Sequence, residues 1–96
     1  MRQIRYYTDV ETGYPHLIKH GVTTEEVEQV LSRPGEDRPG LDGSRVAIGQ
    51  TAAGRYLRVV YVPDVDRDSV FVVTAYPLQG KPLASYRRRI RHRRRS

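Results

Sequence analysis

The chain has no cysteine, which excludes a disulfide framework and any thiolate metal site and fits a reducing compartment. It has no long apolar run either: nothing approaches the ~18 consecutive apolar residues of a membrane-spanning helix. The opening Met-Arg-Gln-Ile-Arg-Tyr-Tyr lacks the ~7–15-residue apolar stretch of a secretory signal. A cytoplasmic protein that does not engage the membrane is therefore the expectation. Apolar residues are scarce, 38% of the chain against the ~45–50% usual in globular domains. Ninety-six residues of this composition can bury one modest core and no second domain.

Lysine is nearly missing, since 15 of the 17 basic residues are arginine. Arginine offers a planar fork of donors that suits phosphates and stacks on bases. Acid is missing altogether from Arg87–Ser96, which holds seven arginines, whereas residues 1–86 carry 10 bases against 11 acids. The formal charge of +6 thus belongs to the tail. The chain reads as a single domain over 1–86 and an arginine-rich tail over 87–96, with RNA as the expected partner.

What is there points to an α+β fold. Gln3–Tyr7 has weak strand character, and Tyr14–His20 suits a short helix with Pro15 in its first turn and Gly21 just past its end. Thr23 followed by Glu26 is a capping box, and Val27, Val30 and Leu31 then recur at helical spacing until Pro34 and Gly35 stop the helix. Residues 34–43 read as a loop or irregular edge strand. Strands follow over Arg45–Gln50, Arg55–Val62 and Ser69–Tyr76, the first two joined by Thr51-Ala52-Ala53-Gly54 and the last two by the Asp64–Asp68 turn. Leu83–Arg91 suits a short basic helix, with the residues beyond His92 frayed. The expected architecture is a small antiparallel meander packed on the N-terminal helices, with a short basic helix at the C-terminus.

Strand alternation sorts the side chains into two faces. Val46, Ile48, Leu57, Val59, Tyr61, Phe71, Val73 and Ala75 are expected on the face that meets the capped helix. Arg45, Tyr56, Arg58, Thr74 and Tyr76 fall on the other face, among small or β-branched residues. A sheet that presents cations and rings can track a phosphate backbone and stack bases. The same residue types also decorate ordinary solvent-facing sheets.

Other chemistry is poorly supported. His16 and His20 stand four apart but lack a third ligand at suitable spacing. His20 before Gly21 also suits a helix C-terminus. Asp64, Asp66 and Asp68 alternate as in a calcium loop but lack its glycine and distal glutamate. No metal and no cofactor is expected. What remains is an arginine, tyrosine and lysine inventory, and such groups can cut RNA by directing the ribose 2′-hydroxyl onto its own phosphate. Arg58 is expected to stabilise the phosphate, Arg45 to assist, and Tyr76 to stack on a base or position the ribose. Lys81 and Tyr86 are candidates for proton handling, with Tyr86 alternatively a packing residue. Tyr56, Arg55, Arg87, Arg88, Arg89 and Arg91 are the candidate RNA-binding residues.

The series Lys19-His20-Gly21-Val22, Glu25-Glu26-Val27, Val30-Leu31 and Pro34 resembles the opening of BrnT-type toxins of the RelE/ParE-like superfamily. Arg45–Thr51, Gly54-Arg55-Tyr56-Leu57, Val59-Val60-Tyr61, Val72–Ala75 and Tyr86 continue the pattern in order, so the resemblance covers about residues 16–86. It implies a RelE-like fold, a metal-independent ribonuclease that cuts mRNA, on the ribosome or off it, and arrests translation, and a cognate antitoxin. Two positions depart from the pattern. Tyr76 replaces the arginine that ends the last strand, and Pro82 replaces the glutamate that starts the last helix. They also resemble a related group of uncharacterised toxin-like domains. The rival expectations are a non-catalytic RNA- or ribosome-binding module and a partner-binding domain with a solvated charge run.

Overall fold

The computed structural model describes residues 3–64 and 68–95, the last two by their backbone alone. Asp66, from the expected Asp64–Asp68 turn, and Arg67 lie outside the described residues.

Thr23 and Glu26 fix the start of helix α1 (Thr24–Ser32). The Thr23 hydroxyl accepts the Glu26 N–H at 3.2 Å and the Glu26 carboxylate accepts the Thr23 N–H at 3.0 Å. Two of the helix's orphan donors are thereby satisfied. Val27 and Val30, on the inner side of α1, are fully buried. Ahead of α1, His16–His20 forms a 3-10 turn closed by Gly21 at φ +73°, where a side chain would be strained.

Five strands form one mixed sheet: β1 (Gln3–Tyr6), β2 (Glu36–Pro39), β3 (Arg45–Gln50), β4 (Tyr56–Asp64) and β5 (Ser69–Pro77), in the order β1-β5-β4-β3-β2. Strands β3 to β5 are the antiparallel meander that the sequence predicts, and β2 extends it by one more antiparallel strand. Strand β1 adds to it in parallel beside β5. A parallel neighbour needs a crossover, and the segment holding the 3-10 turn and α1 supplies it, carrying the chain from one sheet edge to the other. The irregular 34–43 segment contributes the edge strand β2. Among the described residues, no helix is long and apolar enough to cross a membrane.

Helix α1 packs on one face, which we call the inner face. Leu17, Val22, Val27 and Val30 meet Ala47, Leu57, Val59, Tyr61, Val70, Val72 and Ala75 there. Strand β4 and Ala75 therefore face as expected, but β3 is inverted. Val46 and Ile48 point to the outer face, while Ala47 and Gly49 lie under α1. The cause is proximity: a β-carbon on Gly49 would come within 3.2 Å of Val30 Cγ1, so small residues belong where the helix approaches. Phe71 and Val73 also depart from the expected face. A register shift at Val60/Tyr61 pairs Val60 with Thr74 but Tyr61 with Val72. One extra residue in β5 reverses the alternation, which buries Val70 and Val72 and leaves Phe71 outward and Val73 half-buried.

The C-terminal segment is longer and more integrated than Leu83–Arg91. Helix α2 runs over Gly80–Arg95. Pro82 sits in its first turn, where the missing N–H has no intrahelical partner to lose. Leu83, Tyr86 and Ile90 pack with Leu78 on Val46, Ile48 and Tyr56. The outer face is thus covered over β3 and one end of β4, and open over β5, β1 and the rest of β4.

Candidate nucleic-acid interface

Among the described residues, three guanidinium–ring pairs lie on the outer face, two of them set by strand register. Arg5 and Phe71 are cross-strand partners, as are Arg58 and Tyr76. Their guanidinium carbons lie 5.7 and 5.9 Å from the ring centroids. From α2, Arg87 lies 5.0 Å from the centroid of Tyr56. Each pair keeps a cation over an aromatic face, worth about 0.5–2 kcal/mol according to its desolvation.

Beside Arg58 the sheet and α2 enclose a groove of about 410 Å³, with Val46, Ile48 and Val60 in its floor and Arg38, Arg58 and Arg89 along its walls. The acid that lines it, Glu36, has a side chain only 3% exposed. Arg89 donates to it twice, Nε at 2.7 Å and Nη2 at 2.9 Å, and Arg38 donates at 3.3 Å. Burial pushes the Glu36 carboxyl up, but the hydrogen bonds and charges of Arg89, Arg38 and Arg93 outweigh it and hold the group below the usual range. Glu36 is therefore an ionised, spoken-for acid. By contrast, Arg58 Nε and Thr74 Oγ1, from adjacent strands on this face, are buried and have no hydrogen-bond partner among the described residues. Such atoms cost stability unless a polar group arrives to meet them.

At the other side of Tyr76 the 3-10 turn supplies imidazoles. His20 lies 6.0 Å from Tyr76 between ring centroids, His16 lies 5.3 Å from His20, and Tyr7 lies 6.0 Å from His16. His16 Nδ1 stands 3.1 Å from Asp9 Oδ1, and Lys19 Nζ stands 3.3 Å from Asp9 Oδ2. The His16 hydrogen bond, helped by Lys19, lowers the Asp9 pKa against the pull of burial. Among the described residues no group of three His, Cys, Asp or Glu side chains is placed to hold a metal ion.

The candidate residues separate into distinct places. Arg58, Tyr76, Tyr56 and Arg87 share the outer face. Arg45 does not join them, because the inverted β3 puts it on the inner face. There its Nε donates to Asp37 Oδ1 at 2.9 Å, and Tyr61 donates its hydroxyl to the same carboxylate. Tyr86 is 5% exposed and packs between Tyr56 and Gly35, so its hydroxyl is a packing group whose pKa burial raises. Arg55 is occupied by structure, donating to both Glu26 oxygens at 3.1 Å and to the Gly21 carbonyl at 2.9 Å. Arg89 is occupied by Glu36. Lys81, Arg88 and Arg91 are exposed on α2. Arg5, Arg38 and Asp9 carry no signal in the sequence, since each acquires its meaning only through its partners in the fold. The inner side also has a larger cavity of about 630 Å³ near Ile4, Leu31, Pro34 and Val70, but it is mainly apolar and its Asp37 is already paired.

No curated protein and no solved structure matches the chain. One family model, described as a domain of unknown function (DUF4258), matches residues 14–77, from the 3-10 turn through the end of β5. That span holds Arg58, Tyr76 and both imidazoles, with β1 and α2 outside it. Covering two-thirds of the sequence, the match establishes that this chain belongs to the DUF4258 family.

Proposed function

We propose that the outer face binds single-stranded RNA and that the protein cuts it as a metal-independent ribonuclease, the toxin of a toxin–antitoxin pair with a BrnT- or RelE-like mode of action. The observation that carries the reading is Arg58. Its guanidinium is set in the middle of a sheet, stacked on Tyr76, with a buried Nε that no group among the described residues satisfies. A phosphate would supply that acceptor, and Tyr76 and Tyr56 offer ring faces for the flanking bases. Held by a strand rather than a loop, Arg58 can meet the extra charge on phosphorus as the 2′-hydroxyl attacks, with little reorganisation. Arg87, Arg88 and Arg91 would extend the phosphate track along α2. In this reading the protein works in the cytoplasm on mRNA, free or on the ribosome, and a cognate antitoxin covers the face.

The test is induced expression in a bacterial host, following growth and total RNA integrity. Growth arrest with fragmented RNA is the expected result, and normal growth with intact RNA would overturn the nuclease. A non-catalytic RNA-binding module is the second reading. It is favoured by the separation of Arg45 from Arg58 and by the burial of Tyr86, which remove two expected helpers from the site. RNA binding by the purified protein without any cleavage would select it.

A further inference from the structure

RNA cleavage by an internal 2′-hydroxyl needs a group that accepts the hydroxyl proton. Arginine cannot do this, because its guanidinium stays protonated. Tyr86 is buried, and Lys81 stands exposed on the first turn of α2, with no ring or ion pair among the described residues to orient it. The side of Tyr76 away from the groove offers a different candidate. We infer that His20 is the proton acceptor, and that His16 and Asp9 are positioning residues which hold it beside Tyr76. This assignment rests on the ribonuclease reading above.

Three observations converge. First, Arg58 and His20 both lean on one ring, at 5.9 and 6.0 Å from the Tyr76 centroid, so a ribose placed over Tyr76 has a cation and an imidazole as neighbours. Second, the His20 side chain is exposed, as a group that meets substrate must be. Third, it is braced from behind. The His16 ring meets it edge-on at 5.3 Å, and His16 is pinned at both ends: Nδ1 lies 3.1 Å from Asp9 Oδ1, and its backbone N–H donates to the Tyr7 carbonyl at 2.9 Å. A carboxylate that fixes one imidazole nitrogen sets the ring's orientation. A purely packing histidine would need no such chain of supports at a solvent-exposed turn.

The step balances within the RNA and water. His20 takes the 2′-hydroxyl proton as O2′ bonds to phosphorus, and the charge that builds on the phosphate oxygens faces Arg58. The bond from phosphorus to O5′ breaks, and the departing oxygen takes a proton from water. His20 then returns its proton to the hydroxide left behind. The products are a 2′,3′-cyclic phosphate and a 5′-hydroxyl.

The experiment uses the full chain, a single-stranded RNA oligonucleotide for cleavage, and its 2′-O-methyl counterpart, which has no nucleophile, for binding. His20→Ala is expected to keep the affinity for the 2′-O-methyl strand and to lose roughly 100-fold or more in cleavage rate, with imidazole in the buffer restoring part of it. His16→Ala should slow cleavage without weakening binding, and His16→Phe, which keeps a ring against His20 but loses the Asp9 hydrogen bond, should recover only part of the rate. Should His20→Ala fold poorly, His20→Gln gives the same comparison. Cleavage by the His20 variants at the wild-type rate would overturn the assignment while leaving the nuclease standing, and so would a loss of binding that matches the loss of cleavage. A wild-type protein that binds both strands and cuts neither would instead remove the nuclease reading, and this assignment with it.

Discussion

Arg89, near the middle of α2, holds Glu36 of the edge strand β2 in a two-pronged grip, Nε to Oε2 at 2.7 Å and Nη2 to Oε1 at 2.9 Å. The two halves of this pair are unequally exposed, with 35% of the arginine side chain in solvent against 3% of the carboxylate. Removing either partner should therefore have different costs. Glu36→Gln leaves an arginine that water can reach, and should cost about 1–3 kcal/mol. Arg89→Ala leaves a buried carboxylate served by Arg38 and Arg93 alone, and should cost more, toward the ~3–5 kcal/mol of a broken buried pair. Urea unfolding of the two variants checks the order.

The same carboxylate makes α2 docking sensitive to acid. The Glu36 pKa is lower in the folded protein than its ordinary value of 4.5. A depressed carboxylate pKa contributes stability that is fully present above the unfolded value and is lost as pH falls through the folded one. Protection of the α2 amides, relative to their intrinsic exchange rates, should thus hold from neutral pH down to the ordinary glutamate range and fall below it. In Glu36→Gln that acid limb should flatten.

Gly35 makes room for Tyr86. A β-carbon at position 35 would overlap the Tyr86 hydroxyl oxygen and lie 3.1 Å from its Cζ. Gly35→Ala should push Tyr86 and the helix that carries it off the sheet, at about 1–3 kcal/mol. Tyr86→Phe removes the oxygen that clashes most, so the double variant should recover part of the loss. Thermal midpoints of the four proteins measure that coupling directly.

The sequence declared some of this architecture openly. Thr23 and Glu26 act through neighbours three residues away, and the β3–β4 hairpin turns on Gly54 at φ +95°, so both could be read locally. The face assignment of β3 could not. Val46 and Ile48 alternate as an inward-facing strand should, but a helix from the end of the chain covers the outer face, and apolar alternation then no longer says which side is which. The bulge that turns Phe71 outward leaves no mark in a run of valines. The face that carries the candidate residues was legible where a strand alone presents it, at Arg58, Tyr56 and Tyr76. It was illegible where a residue outside the strand or turn decides, as Asp37 does for Arg45, Glu26 for Arg55 and Asp9 for His16.

Because the sheet itself separates Arg58 from Arg45, the two make a sharp comparison. Each Ala variant removes one positive charge from a neighbouring strand, at a different face. Arg58→Ala should abolish growth arrest and RNA binding with no more change in thermal midpoint than loss of the Tyr76 stacking brings, since its Nε has no hydrogen bond to lose among the described residues. Arg45→Ala breaks the Asp37 pair and should lower the midpoint while leaving RNA binding intact in the folded protein. Equal RNA affinity in both variants would exclude the outer face as the binding surface.

The arginine-rich segment calls for a subtler test than truncation, because Arg89, Arg93 and Ile90 tie α2 to the body and cutting at Arg87 would damage the fold. Among the described arginines of this segment, Arg87, Arg88 and Arg91 are exposed and take no part in the ties of Arg89 and Arg93, and Arg87 also caps the Tyr56 ring. Replacing all three by glutamine keeps the helix, the Glu36 grip and the packing of Ile90. Removing one arginine–phosphate pair from a single-stranded complex lowers the slope of log affinity against log salt by about 0.7, so the triple variant should show a slope roughly 2 units shallower. Titration of fluorescent single-stranded RNA at several salt concentrations gives the number. A triple variant with the wild-type slope would show that these arginines are a solvated run and that RNA affinity resides on the sheet alone.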